Sequence, residues 1–367
     1  MSSEEKKDKY LQYGGQAVIE GVMMRSPRYF AVACRKPDGQ IVVQEEPVDR
    51  SIVGKFLWMN RPLLRGTLAL IDAMALGMKA LKFAADVQTQ SLGGPDTQSA
   101  PATVAVNGNG AAATAEPAKD HKINDYKDHK INDYVVGGTM VFSICFGIAL
   151  FVALPTLLTQ AAQYFGGLPH GLGLSRGQQI ELNLVDGVVR MAIFLGYIGL
   201  ISRLDAIRRV FQFHGAEHKA INTLEAGEPL TPENCMRESR IHPRCGTSFI
   251  IVVLLASILV HSVLPRPPFY FTRLALHIAL IPVVAGISYE IIKLAGRYRH
   301  SAIMRTLLAP GLWSQRLTTR EPDVEHVEVA IAALQAVLAR EKAHDAGVPE
   351  AQSPLPLEVA EPSAAIA

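Results

Sequence analysis

Residues 135–158 run 24 positions without a charged side chain, and this constrains the fold more than any other feature of the chain. At about 1.5 Å of rise per residue, a helix of that length crosses a hydrocarbon core of about 30 Å. A soluble core built from short strands and amphipathic helices has no need of such a run. Three further apolar segments follow at 182–202, 247–264 and 273–292. The second carries Asp186 and Arg190, whose i, i+4 spacing lets them pair on one helical face. The last two are separated by a short proline-rich stretch at 265–271, which suits a tight helical hairpin. Hydrophobic residues make up 49% of the chain, and the mean hydropathy is +0.17. The expected fold is mainly α: a polytopic membrane protein with about four transmembrane helices, plus a small cytosolic N-terminal domain containing a β-hairpin.

Basic residues set the orientation. Arg203, Arg208, Arg209, Lys219, Arg237, Arg240 and Arg244 lie between the second and third spans, whereas Arg176 stands alone between the first two. Lys119, Lys122, Lys127 and Lys130 precede the first span, and Lys293, Arg297, Arg299 and Arg305 end or follow the last. Both termini and the middle loop, 203–246, are therefore expected on the cytoplasmic side of a bacterial plasma membrane. Residues 1–9 are charged, with no apolar stretch before Leu11, so no cleavable signal peptide is expected. The net charge of +2 argues against nucleic acid as a partner. The bilayer is the expected partner, and oligomerisation is left open. A transporter is disfavoured, because the spans lack a midplane set of charges or paired broken helices.

The remaining segments divide by composition. Residues 1–60 are the expected hairpin domain, with β character from 13 to about 53 and runs at 29–34 and 41–44 flanking Lys36-Pro37-Asp38-Gly39 at the bend. Residues 61–85 are apolar but interrupted by Arg65, Asp72, Lys79 and Lys82, which suits an in-plane amphipathic helix or one that covers the hairpin. Residues 86–134 read as a disordered linker ending in two copies of KDHKINDY. Beyond the last span, 293–345 holds an amphipathic helix with Val324, Val327, Ile331, Leu334 and Leu338 on one face, and 346–367 reads as a disordered tail.

The chemistry concentrates in the middle loop. His214 and His218 stand at i, i+4 on a predicted helix, close enough to share one divalent ion, with Glu217 beside them. The order His-x-x-Glu-His is that of the inverzincin peptidases, in which the histidines hold zinc and the glutamate activates water. His242 and Cys245 add a second short ligand pair, with Cys235 ten residues before Cys245. Four ligands, His214, His218, His242 and Cys245, would close a structural site; three would leave one position for catalysis. Glu290 is an accessory candidate at the membrane edge, or an interfacial carboxylate paired with Lys293 or Arg297. Residues 14–25 form an unusual run in which glycines permit close backbone approach, and Glu20 or Arg25 could face the loop cluster.

Five motifs occur in order: GGQAVIEGVMMR at 14–25, HGAEHK at 214–219, HPRCGTSF at 242–249, SYEIIKLAGR at 288–297 and PGLWSQRLTTREP at 310–322. By these the chain resembles the YqhQ-like family of bacterial membrane proteins, a family of unknown function described as predicted metal-dependent enzymes. The resemblance covers roughly residues 13–340, interrupted at 88–134. It implies a metal-dependent activity at His214, Glu217, His218, His242 and Cys245, and it supplies no substrate. The functional expectation is a membrane-embedded hydrolase using a divalent metal, zinc by its ligands, with Glu217 as catalytic base and a peptide near the inner leaflet as substrate. The alternative is a non-catalytic scaffold or assembly factor with a structural metal site.

Overall fold

Alternation within the first described segment builds a sheet. The computed structural model describes residues 13–48, 65–90, 137–139, 141–167, 174–297 and 302–347; the tandem repeat and the tail beyond 347 lie outside them. Strands β1 (Gly14–Val18), β2 (Gly21–Arg25), β3 (Tyr29–Arg35) and β4 (Ile41–Pro47) form an antiparallel sheet in the order β1-β2-β3-β4. The expected hairpin is β3–β4, closed with Arg35 opposite Ile41 and with Gly39 at φ 89° in the turn. The unusual run at 14–25 is a second hairpin, with Val18 opposite Gly21. Its corner residue, Glu20, adopts φ 51° and is ion-paired to Arg209.

Both faces of this sheet are covered, so β3 reads as a continuous apolar run. Phe30, Val32 and Cys34, with Val18 and Met23, pack on helix α1 (Arg65–Gln90) through its stripe Leu76, Ala80, Ala84 and Val87. The sheet, not a bilayer surface, thus takes up this stripe of the segment read as interfacial, and the helix runs five residues into the segment read as linker. Ala31 and Ala33, with Val22 and Met24, face the opposite layer, made of α4 (Asp205–Ala226) and α10 (Val324–Asp345). There Val327 and Leu334 are fully buried beside Phe213 and Ile221. The C-terminal amphipathic helix is therefore a wall of the sheet domain.

The membrane portion departs from four spans. Helices α2 (Gly137–Phe165) and α3 (Arg176–Ile201) are long and apolar enough to cross a membrane. Helix α6 (Gly246–Ser262) has 17 residues, about 25 Å, at the lower limit for a crossing. The expected fourth span is broken into α7 (Tyr270–Ala279) and α8 (Ile281–Arg297), bent by 41°. Pro282 stands at the second position of α8 and cannot donate to the preceding turn, which accounts for the break. The described residues thus hold two candidate spans, or three if the bent pair crosses as one. The short helix α5 (Pro232–Arg237) and α9 (Ala302–Thr318) complete the chain.

Buried charge gathers where α3, α6 and α7 meet. Asp186 and Arg190 pair on α3 at 3.0 Å, as their spacing predicts. Arg266, from the expected hairpin connection, and Arg273, the first residue of the expected fourth span, fold inward beside them together with His261 and His277, and all six are buried.

Candidate metal centre

Helix α4 fixes the first two side chains. His214 and His218, one turn apart, place their ring centroids 4.5 Å from each other. The His214 Nδ1 bonds the Thr318 carbonyl at 2.8 Å, and the His218 Nδ1 bonds the Arg240 carbonyl at 2.6 Å. A carbonyl only accepts, so each Nδ1 carries a proton, and in the neutral ring the lone pair is on Nε2. This is the outer-shell arrangement that orients imidazole ligands toward a cation.

Cys245 supplies the third group from the N-cap of α6, where its Sγ accepts from the Thr247 backbone N–H. The His214 Nε2 stands 3.1 Å from this sulfur. Ligand atoms of His214, His218 and Cys245 all lie within 4.8 Å of one another. Two zinc bonds of about 2.0–2.3 Å nearly span that separation. The His218 Nε2 is buried with no hydrogen-bond partner, and burial holds this imidazole below its ordinary pKa despite the nearby Cys245 sulfur and the Nδ1 bond to the Arg240 carbonyl. A soft thiolate with two neutral imidazoles suits zinc, so the residues fit the ion.

His242 stands apart from this trio. Its Nε2 faces Glu225 at 3.3 Å, and its backbone is clamped by Gln315, which accepts from the His242 N–H at 2.9 Å and donates to the His242 carbonyl at 2.7 Å. Arg244 pairs with the same Glu225. The four expected ligands are therefore three in this geometry, with the His242 ring 5.7 Å from that of His218. Glu225 and Gln315 escaped the sequence reading. Glu225 lies seven residues beyond His218, on the same helical face, and Gln315 sits inside the last of the five motifs.

Glu217 is 4% exposed and points toward β1. The Gly15 N–H donates to its carboxylate, while Oε2 is buried without a partner. Burial pushes its pKa up to about 7, against the opposing pull of His214 and the Gly15 N–H. A side chain at Gly15 would stand 2.6 Å from the Met23 carbonyl oxygen and 2.9 Å from the Glu217 side chain, so only glycine allows this approach. A cavity of about 340 Å³ opens on the other side, lined in part by Gly14, Gly15, Gln16, Arg25, Leu76 and Arg244.

The accessory candidates lie elsewhere. Glu20 pairs with Arg209, Arg25 with Asp72 at 2.6 Å, and Glu290 with Arg65 in a two-point bridge, so none of them joins the trio. Cys235 is fully buried in the core between α4 and α10, where burial raises its thiol pKa. A second group of ligand-type side chains, Asp323, Glu325 and His326, forms the N-terminal cap of α10, in which the His326 Nδ1 accepts from the Asp323 N–H at 3.3 Å.

The family described as "Protein of unknown function (DUF1385)" matches residues 61–340, the greater part of the chain. The protein belongs to this family. The uncharacterized protein YqhQ of Bacillus subtilis (strain 168) is 34% identical over 330 residues, covering 89% of this chain and 92% of that protein. No solved structure matches. The matched region of this unknown-function family includes all three members of the trio, Glu217 and His242, whereas Gly15 lies before it.

Proposed function

We propose that the protein is a membrane-embedded, metal-dependent hydrolase whose site lies on the cytoplasmic face of a bacterial plasma membrane, with both termini on that side. The observation behind this reading is the convergence of two Nε2 lone pairs and one sulfur at a point beside a buried carboxylate. His214, His218 and Cys245 would hold a divalent cation, zinc by the donor set. Such an ion supplies Lewis acidity to a water or a carbonyl group. Thr318 and Arg240 keep the imidazoles in the ligating tautomer through their carbonyls. Glu217, held on one oxygen by Gly15, has Oε2 available to accept a proton. The presence of three grouped side chains instead of four favours a reactive site over a closed structural one. Basic side chains concentrated in the loop that carries the site support the orientation. A peptide at the inner leaflet is the proposed substrate, and the cavity behind Gly15 offers it an approach bearing two guanidinium groups.

The test is X-ray absorption on zinc-loaded protein, together with Glu217→Gln. Two nitrogens, one sulfur and at least one oxygen around the ion are expected, with metal retained but cellular function lost in Glu217→Gln. Four protein ligands without oxygen, or a fully functional Glu217→Gln protein, would leave the scaffold reading in its place.

A further inference from the structure

A second constellation lies at the far end of α6, about 25 Å from Cys245 along a helix of 17 residues. It joins α3, α6, the connection after α6, and α7. Asp186 and Arg190 come from α3, His261 from α6, Arg266 from the connection, and Arg273 and His277 from α7. Their relative exposures are 3% for Asp186, 8% for Arg190, 8% for Arg266 and 4% for Arg273. With both imidazoles counted as neutral, three arginines and one carboxylate sum to +3 − 1 = +2. Protonation of either ring only raises this.

Unpartnered donors also outnumber the unpartnered acceptors of the cluster, Asp186 Oδ1 and His261 Nε2. Arg266 donates from Nη1 to Asn183 at 2.7 Å, while its Nε and Nη2 are buried without a partner. Arg273 donates from Nε and Nη2 to the Pro267 carbonyl, and its Nη1 is likewise unpartnered, as is the Arg190 Nε. Among the described residues, neither Arg266 nor Arg273 forms an ion pair within 4.0 Å. Buried guanidinium groups in excess of carboxylate are costly in a medium of low dielectric constant, unless an anion meets them. Forked N–H donors suit an oxyanion best. Tyr164 near the end of α2 is 73% exposed, and Tyr270 opens α7. Tyrosines at the ends of membrane helices mark headgroup depth, where phosphate is the abundant oxyanion.

We propose that Arg266 and Arg273, supported by Arg190, form a phosphate-binding site at the membrane face opposite the His–Cys trio, filled by a phospholipid headgroup or by free phosphate. The site is independent of the hydrolase reading, because none of its residues belongs to the metal centre. The full-length protein, delipidated in a non-ionic detergent, would be melted in sodium phosphate and in sodium chloride at equal ionic strength, and weighed by native mass spectrometry before delipidation. A free-phosphate site gives a melting temperature several degrees higher in phosphate. A headgroup site gives a retained adduct of one phospholipid mass and no such shift. Either signal should fall by more than half in Arg266→Gln and Arg273→Gln; in Arg273→Lys, which keeps the charge but loses the fork, it should be intermediate. Wild-type protein showing neither adduct nor phosphate-specific shift, or variants that respond as wild type does, would overturn the proposal. If the glutamine variants do not fold, the wild-type comparison decides it alone.

Discussion

Replacing Gly15 by alanine tests the junction of sheet and site more directly than any ligand change. The new methyl carbon would stand 2.6 Å from the Met23 carbonyl oxygen and 2.9 Å from Glu217, so β1 must move away from β2 or Glu217 must leave its place. Overpacking of this kind costs about 1–3 kcal/mol. Losing the Gly15 N–H bond to the Glu217 carboxyl group, about 1 kcal/mol net, brings the total to about 2–4 kcal/mol. The neighbouring Gly14 is the internal control, since its added carbon meets nothing within 4 Å. Gly14→Ala should be neutral or more stable by up to about 1 kcal/mol, through the lower entropy of the unfolded chain. Guanidinium unfolding of the purified protein in detergent, followed by far-ultraviolet circular dichroism, compares the two. Equal shifts in both variants, or a Gly15→Ala protein as stable as wild type, would refute the close-approach argument.

Other consequences are as specific. His242→Gln should keep zinc near one equivalent per chain, because Glu225 and Gln315 hold that ring outside the trio, whereas His218→Gln and Cys245→Ser should lose affinity by at least a hundredfold in competition with a chromophoric chelator. Cys34, whose thiol burial pushes up to about 12, should resist alkylation until the protein unfolds; Cys245 should react in the metal-free protein and be protected by zinc. Burial alone would raise the Glu341 pKa, but hydrogen bonds from Arg28 and Ser26 outweigh it and hold the carboxyl below its ordinary value. A depressed folded-state pKa contributes stability that is present above the unfolded pKa of about 4.3 and lost as pH falls through the folded value. The stability advantage of wild type over Glu341→Gln, measured by chemical unfolding, should therefore be full near pH 7 and shrink below about pH 5.

The sequence by itself determined the local features. Charge-free length specified the helix at 137–165, an apolar run with one i, i+4 charged pair specified that at 176–201, and turn chemistry at Lys36–Gly39 specified the β3–β4 hairpin. Helical spacing put His214 beside His218 and Asp186 beside Arg190. Each of these depends on residues a few positions apart, where backbone geometry alone sets the distance. Tertiary structure decided the rest. Whether the stripe of α1 met a bilayer or a sheet turned on its packing against Phe30, Val32 and Cys34, far earlier in the chain. Whether His242 joined the trio depended on Glu225 across the loop and on Gln315, 73 residues further along the chain. Arg266 in the connection and Arg273 at the head of the expected fourth span gave no sign in the sequence that folding would turn them toward Asp186 on another helix. Such choices set one burial cost or ion pair against another between distant segments, and no periodicity in the chain records which arrangement has the lower free energy.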